Sequence, residues 1–274
     1  MVELASRVAT PPSTRVLGVR LDHVDLAGAL ERVVRALLER TTLRIATINL
    51  DFIRLARRDA RLAAALESAD LGLCDGKLLQ LVGHVAGGAP PAQITGHDLV
   101  DPCCALAAEM GRRVLLLGAA PRVAARAASV LAARHPGLVV AGEHGGRFGA
   151  DGTPANASRL ENRIRAFAPD VVLVGLGCPK QELWLERDLA RLGIPVGIGV
   201  GSVLDVIAGD LPRAPRWMQR CALESLFQLL AAPRRYGERY VLCDPPVLAA
   251  AIVEALGRRR SRGVFVHARS RSVA

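Results

Sequence analysis

The sequence predicts an α/β fold in which a doubly wound, largely parallel sheet is flanked by helices and followed by a helical appendage. Through residues 15–210, short apolar runs alternate with longer segments of helical periodicity, which is typical of such a sheet. The composition favours the same fold, because 51% of the residues are hydrophobic and only 3% are aromatic. After residue 210 the alternation stops, and only helical segments follow.

Each predicted element rests on its own local pattern. Apolar runs bounded by turn residues predict strands, whereas apolar positions that recur every three or four residues predict helices. The predicted strands cover residues 16–19, 43–48, 71–74, 114–117, 139–142, 171–174 and 196–200, the last of which completes the sheet. The predicted helices cover residues 26–38, 51–69, 99–109, 121–134 and 157–167, with further helices starting at Lys77 and Pro179.

The chain divides into four predicted parts. Residues 1–14 form a flexible leader, and residues 15–210 form the α/β domain. Residues 211–257 form a basic helical appendage, and residues 258–274, rich in Arg and Ser, form a disordered tail. Because the predicted sheet is complete at Val200, we expect the α/β domain to fold without the appendage.

The net charge of +10 narrows the classes of partner. It comes almost entirely from arginine, because lysine occurs only at Lys77 and Lys180. Such an excess favours phosphate-bearing ligands or anionic surfaces. The low aromatic content provides few platforms for base stacking, so a nucleic acid is not expected as a partner.

Cysteine spacing and hydropathy predict a cytosolic protein without a membrane span. The 6 cysteines form no Cys-x-x-Cys pair and have no histidine cluster beside them, so neither a zinc site nor a disulfide framework is expected. The N-terminus lacks the pattern of a signal peptide. The longest apolar candidate, residues 241–256, is interrupted by Asp244, Pro245, Pro246 and Glu254.

The segment from Asp170 to Glu182 is the most informative part of the chain. Four apolar residues predict a buried parallel strand, and Pro179 predicts the start of the next helix. Lys180 and Gln181 therefore lie at a helix N-terminus beyond the carboxyl end of a strand. Open α/β sheets bind ligands at that place, and exposed N–H groups there suit a diphosphate. An ordinary strand–loop–helix connection would produce the same pattern.

Polar residues follow two further predicted strands. Thr47 and Asn49 lie two residues apart and so point to one face, and Asp51 is a candidate helix N-cap. Asp75 begins an Asp-Gly pair after the next strand. Each residue alone is explained by turn chemistry. Together with Gln181, however, Thr47, Asn49 and Asp75 are predicted to meet at one edge of the sheet.

The appendage combines arginine with apolar residues, which predicts an amphipathic element at a membrane surface. The alternative is that it packs on its own domain or on a second copy of the chain, which leaves a homo-oligomer open. The arginines are Arg213, Arg216, Arg220, Arg234, Arg235 and Arg239.

Several motifs, in one order, resemble the WecG/TagA/CpsF family of bacterial glycosyltransferases over roughly residues 16–240. They are Thr47-Ile48-Asn49, Ala69-Asp70, Asp75-Gly76, Thr95-Gly96-His97-Asp98-Leu99, Leu116-Leu117-Gly118 with Pro121, residues 174–182 with Trp184, Gly199-Val200-Gly201 with Asp205, Arg213-Ala214-Pro215 with Trp217, Leu223-Glu224, and residues 233–240.

The resemblance implies a Rossmann-like enzyme that transfers a sugar, with inversion, from a UDP-sugar to a polyprenyl-diphosphate-linked acceptor. It implies no cofactor and no metal, and the chain contains no Asp-x-Asp. By resemblance, Asp75 is the base, Thr47 and Asn49 contact donor or acceptor, and Gln181 holds the nucleotide. The other residues expected to bind substrate are Lys180, Gly118, Gly177, Gly199, Asp205, Arg213, Arg235 and Arg239.

The chain departs from the family pattern at three positions. Many relatives carry arginine where this chain has Gln93, Gln228 and Glu238. Arg235 fits the pattern, and Arg239 is the candidate to replace the arginine missing at Glu238. These differences affect which residues hold the diphosphate.

The resemblance also implies a location on the cytoplasmic face of the plasma membrane. The sugar and the acceptor glycan stay open. Two other classes are weighed against a transferase: a nucleotide-cofactor oxidoreductase, and a non-enzymatic basic module. The oxidoreductase lacks a complete Gly-x-Gly-x-x-Gly after an N-terminal strand. Binding of DNA compared with anionic liposomes would test the basic module.

Overall fold

The first described element is a β-hairpin that precedes the sheet. The structure is a computed structural model and describes residues 10–85, 91–215, 217–218 and 223–270. Strands β1 (Ser13–Val16) and β2 (Val19–Asp22) pair antiparallel. The prediction of one strand over residues 16–19 is therefore wrong, since Leu17 and Gly18 form the turn with φ angles of 47° and 88°. Strand β1 also begins inside the segment predicted as leader, of which residues 1–9 lie outside the described residues.

A 6-stranded parallel sheet forms the centre of the α/β domain, as the sequence predicts, in the order β4-β3-β8-β7-β5-β6. Because every pair is parallel, all the carboxyl ends lie at one edge. The strands are β3 (Leu43–Ile48), β4 (Leu71–Cys74), β5 (Arg113–Gly118), β6 (Val139–Glu143), β7 (Val171–Gly175) and β8 (Val196–Gly199).

Helices follow the strands and cover both faces of the sheet. The prediction of one helix over residues 51–69 is wrong, because the chain breaks at residues 57–59 into two helices. The helices of the domain are α1 (Leu26–Glu39), α2 (Leu50–Ala56), α3 (Ala60–Glu67), α4 (Lys77–Val85), α5 (Gly96–Glu109), α6 (Val123–Arg134), α7 (Ala157–Phe167), α8 (Lys180–Asp188) and α9 (Val203–Ile207).

Two helix starts show how local sequence sets the boundaries. Asn49, and not Asp51 as predicted, caps α2, because its Oδ1 accepts from the N–H groups of Asp51 and Phe52. Helix α5 begins three residues earlier than predicted. There Thr95 and Asp98 form a capping box that satisfies two otherwise unpaired N–H groups.

Alternating residues of the strands fill two cores on opposite faces of the sheet. On β7, Val171 and Leu173 join the core under α1, α5, α6 and α9, whereas Val172 and Val174 join the core under α7 and α8. Near β3 and β4 the second face is covered instead by the hairpin, α2, α3 and the C-terminal helix. Strands buried on both faces explain why their sequences are continuous apolar runs.

No strand lies in the described residues of the appendage, as the sequence predicts, and from Glu224 onward all of them except Ala232 are helical. Its elements are α10 (Glu224–Ala231), α11 (Pro233–Gly237), a π-helical turn (Glu238–Cys243) and α12 (Asp244–Ser270). Helix α12 runs to Ser270, so the backbone is helical over most of the segment predicted as a disordered tail.

Helix α12 packs into the core of the α/β domain. Val247, Ala251 and Ala255 repeat every four residues and are buried with side chains of β3, α2 and α4. The carboxylate of Glu254 accepts from the N–H of Leu17, 2.7 Å away, in the hairpin turn. One wall of the core therefore comes from α12, which argues against the expectation that the α/β domain folds without the appendage.

One segment of the described chain, Glu238–Gly257, is long and apolar enough to cross a membrane by length and composition. The charged and proline residues within it predict no span. In the structure, one face of this segment packs on the domain, and the other face exposes Val253 and Leu256.

Candidate active site between the sheet edge and the appendage

A cavity of about 660 Å³ lies at the carboxyl edge of the sheet, between the α/β domain and the appendage. The domain contributes the residues that follow β3, β4, β7 and β8, together with the start of α5. The appendage contributes residues of α10, the π-helical turn and the start of α12. Thr47, Asn49, Asp75 and Gln181 all line this one cavity.

Asp75 follows β4 directly and lies half-buried in the cavity. Its backbone N–H donates to the carbonyl oxygen of Ile48 at 2.7 Å, which ties the residue to the neighbouring strand. Burial, and then the negative charge of Glu224, raise the pKa of Asp75 to about 7, while Arg239 opposes the rise. A carboxyl group with this pKa can accept a proton near neutral pH.

Thr47 and Asn49 both have structural partners in addition to their place in the cavity wall. The hydroxyl of buried Thr47 donates to the carbonyl oxygen of Gly199 at 2.8 Å and joins the ends of β3 and β8. Asn49 caps α2. Asn49 therefore has a turn-forming role of the kind expected, whereas Thr47 bonds to a neighbouring strand, and the contacts of both residues with a substrate stay predictions.

Gln181 lies in the first turn of α8, and only 1% of it is exposed. Its Oε1 accepts from the N–H groups of Gly177 and Gly201, which follow β7 and β8. Gly177 lines the cavity with Gln181, as predicted for a site residue, and its φ of 75° suits glycine. Lys180, although adjacent, does not belong to the cavity lining.

Among the described residues, Arg239 is the arginine of the appendage that lines the cavity. It is presented by the π-helical turn, a rare element that is common at functional sites. Its Nε lies 3.9 Å from Asp51 and 3.5 Å from Asp244, without a hydrogen bond to either. Its guanidinium also lies over the ring of Tyr240. The side chain of Arg235 lies outside the described residues.

Four further predicted site residues do not belong to the cavity lining. A side chain at Gly118 would meet the backbone of Gly175, and one at Gly199 would meet the amide of Gln181, so both glycines permit close packing. Asp205 is buried in α9. Arg213 lies 4.0 Å from Asp98, at the end of the cavity where His97 lies.

Residues without a predicted role also line the cavity, among them His97, Glu224, Tyr236 and Tyr240. Burial, and then the charge of Arg213, lower the pKa of His97 to about 4, so its imidazole is neutral at pH 7. The two tyrosine rings stack with centroids 5.6 Å apart. The family motifs contain all four residues, but the sequence holds no signal that separates a wall residue from a core residue.

The model of the glycosyl transferase WecG/TagA/CpsF family matches residues 14–261, which is most of the chain. The chain belongs to this family. The family resemblance predicted from the sequence motifs is thereby confirmed, and the enzyme is a glycosyltransferase.

Two relatives of this WecG/TagA/CpsF glycosyltransferase carry the same description, N-acetylglucosaminyldiphosphoundecaprenol N-acetyl-beta-D-mannosaminyltransferase. One, from Bacillus spizizenii strain W23, is 31% identical over 76% of this chain and 78% of its own length. The other, from Staphylococcus aureus strain NCTC 8325, is 29% identical over 81% of this chain and 86% of its own length. Their name states transfer to a lipid-linked diphosphate acceptor.

The positions at which this glycosyltransferase departs from the family pattern now have a structural setting. Gln228 lines the cavity and accepts a hydrogen bond from the hydroxyl of Tyr240. Glu238 is exposed, whereas Arg239, the next residue, faces the cavity. Among the described residues, no group of three or more His, Cys, Asp or Glu is arranged to hold a metal ion.

Proposed function

We propose that this glycosyltransferase moves a sugar, with inversion, from a UDP-sugar to a polyprenyl-diphosphate-linked acceptor in bacterial polysaccharide or cell-wall synthesis. The observation that carries the proposal is the position of Asp75 and Arg239 in one cavity. A carboxyl group whose pKa burial raises to about 7 and a largely buried arginine line the same space. The two relatives named for transfer to an undecaprenyl-linked acceptor support the acceptor class.

The proposed step is a single displacement at the anomeric carbon of the donor. Asp75 takes the proton from the acceptor hydroxyl as that oxygen forms a bond to the anomeric carbon. The bond from this carbon to the diphosphate breaks on the opposite face, and its electron pair leaves with UDP. The proton therefore resides on Asp75, and the negative charge develops on the diphosphate.

We propose that Arg239 stabilises this developing charge in place of a metal ion. Guanidinium groups bind phosphate oxygens with two parallel hydrogen bonds. Arg239 is only 25% exposed, and a buried cation at a developing charge stabilises it more than one in water. Its Nε is buried and lies 3.9 Å from Asp51 and 3.5 Å from Asp244. We therefore propose that the terminal Nη groups of Arg239 bind the phosphate oxygens.

We propose that the appendage holds the enzyme on the cytoplasmic face of the plasma membrane. Leu226 and Leu230 of α10 and Val241 and Leu242 of the π-helical turn are exposed next to the cavity, with Leu230 71% exposed. Apolar side chains near arginines suit an anionic membrane surface. A lipid-linked acceptor would then reach the cavity without leaving the membrane.

A UDP-release screen tests the proposed function. The full chain is mixed with a panel of UDP-sugars, starting with UDP-N-acetylmannosamine, and a short-chain polyprenyl-diphosphate acceptor that ends in N-acetylglucosamine. We expect acceptor-dependent release of UDP with one donor, and a β-linked product by NMR if the donor is α-linked. For the variant Asp75→Asn in this assay, the matched control is Asp101→Asn, which changes an exposed aspartate on α5 in the same way. Absence of release with every donor would contradict the proposed donor class.

A further inference from the structure

The loops after β7 and β8 are joined by one side chain. Oε1 of Gln181 lies 3.1 Å from the N–H nitrogen of Gly177 and 3.2 Å from that of Gly201, and accepts from both. A carbonyl oxygen has two lone pairs, so these two bonds use its acceptor capacity. Both glycines line the cavity, and so the position of each loop at the cavity depends on this amide.

The amide of Gln181 is itself held by Glu182. Nε2 of Gln181 donates to Oε1 of Glu182 at 2.7 Å, and this bond fixes which way round the amide lies. Glu182 is only 5% exposed, and its second carboxyl oxygen has no hydrogen-bond partner. Burial of a carboxyl group is costly, so a fold that keeps one here gains something that an apolar residue would not provide.

Gly199 leaves the space that the two side chains fill. A Cβ atom at Gly199 would lie 2.7 Å from Nε2 of Gln181 and 2.9 Å from Oε1 of Glu182. The carbonyl oxygen of the same glycine accepts from Thr47. Strand β8 therefore ends in direct contact with the Gln181–Glu182 pair.

We propose that Gln181 and Glu182 form a clamp that positions the two glycine loops for binding of the donor, with Gln181 holding the loops and Glu182 holding Gln181. The donor-positioning part rests on the proposed function. Gln181 then acts through Gly177 and Gly201, and its oxygen is not a direct ligand of the nucleotide. Glu182 is a positioning residue that does not contact the substrate.

Hydrogen exchange of the backbone tests whether the clamp exists, and it requires no ligand. In Gln181→Met the N–H groups of Gly177 and Gly201 lose their acceptor, and in Glu182→Leu the amide loses its support. We expect both variants to exchange faster in these two loops by NMR or mass spectrometry. Glu182→Gln, which keeps an acceptor oxygen, and Glu186→Gln, an exposed position on the same helix, should exchange at wild-type rates. Unchanged exchange in Gln181→Met would overturn the clamp.

Binding of UDP, measured by calorimetry on the full chain, tests the donor-positioning part. We expect Gln181→Met and Glu182→Leu each to weaken UDP binding about 10- to 100-fold, the cost of one or two unmade buried hydrogen bonds. Glu182→Gln should stay within about threefold of the wild type because its acceptor is kept. The double variant Gln181→Met/Glu182→Leu should lose no more UDP affinity than the single variant that binds UDP less tightly, since the two residues act in series.

Each remaining outcome decides one part of the proposal. Losses that multiply in the double variant would show that Glu182 does not act through Gln181. Faster exchange with unchanged UDP affinity would overturn donor positioning and leave the clamp. A wild-type protein that does not bind UDP would overturn the proposed function, while exchange still decides the clamp. If Gln181→Met fails to fold, Gly199→Ala displaces the amide without removing a hydrogen-bonding group, and the same exchange is expected.

Discussion

Asp75 shows how a single residue acquires a chemical property from its surroundings. Its position after β4 is set by the local sequence, and Asp-Gly is an ordinary turn pair. Burial in the cavity and the charge of Glu224 raise its pKa to about 7. Glu224 lies 149 positions later in the chain. The appendage thus contributes to the basicity of a residue in the α/β domain.

We expect Asp75→Asn to lower the rate of transfer by about 10²- to 10⁴-fold, the contribution of one general base. Asparagine has nearly the same shape but cannot take the proton. UDP affinity and thermal unfolding should be close to those of the wild type. Turnover by UDP release and calorimetry with UDP measure the two effects. A variant with near wild-type turnover would remove Asp75 from the role of base.

The pH dependence of transfer provides a second test of Asp75. Only the deprotonated carboxylate accepts a proton, and burial raises its pKa to about 7. We therefore expect the rate to rise with pH through about 7 and to fall below it. Burial raises the pKa of Glu182 to about 7 as well, so Glu182→Gln is the control. If the rate of Glu182→Gln still falls below pH 7, the fall is due to protonation of Asp75. If the fall disappears in this variant, it is due to protonation of Glu182.

Helix α12 belongs to an appendage that the sequence describes as basic and amphipathic. In the fold, this helix also completes the core of the α/β domain. The exposed face carries Val253 and Leu256, whereas the face with Val247, Ala251 and Ala255 is buried against the domain. A helix with one apolar stripe must bury that stripe. In this chain the α/β domain covers it.

We expect Ala251→Glu to destabilise the protein by about 2–4 kcal/mol, because it buries an unpaired carboxylate at a position that is 1% exposed. Val253→Glu changes the same helix by the same residue type at a position that is 70% exposed, and should stay within about 0.5 kcal/mol of the wild type. Urea unfolding followed by circular dichroism measures both. Equal destabilisation in the two variants would contradict the packing of α12.

At the scale of the whole molecule, removal of the appendage would expose part of the core, because α12 covers it. We expect a chain that ends before Pro212 to lose cooperative unfolding or to aggregate, since the core residues of β3, α2 and α4 would face water. Thermal unfolding and size-exclusion chromatography measure this outcome. A soluble truncated protein with an unchanged unfolding temperature would show that α12 is not part of the core.

Membrane binding must therefore be tested with point variants of the full chain. We expect Leu230→Glu with Leu242→Glu to lower cosedimentation with anionic liposomes about tenfold or more, because each leucine that enters the interface contributes about 1.5–3 kcal/mol. The control is Leu38→Glu, in which a residue that is 66% exposed on α1 is changed. Helix α1 packs on the face of the sheet opposite α12. Equal losses in both proteins would place the membrane contact elsewhere.

Much of the α/β domain follows from local sequence. Strands β3 and β4 and helix α7 have the predicted bounds, because apolar runs and apolar periodicity are short-range signals. The hairpin at residues 13–22 does not follow, since the turn conformation of Leu17 and Gly18 outweighs the apolar run around them. The early start of α5 depends on a capping box that periodicity does not contain.

The sequence by itself determined that Thr47, Asn49, Asp75 and Gln181 meet at one edge, because parallel strands place their carboxyl ends together. Only the tertiary structure decided that Arg239 enters the cavity, that α12 completes the core, and that the amide of Gln181 is used within the protein. These features depend on contacts between residues far apart in the chain. Local patterns specify which elements form. The packing of distant elements decides which side chains face a cavity and which side chains contact each other.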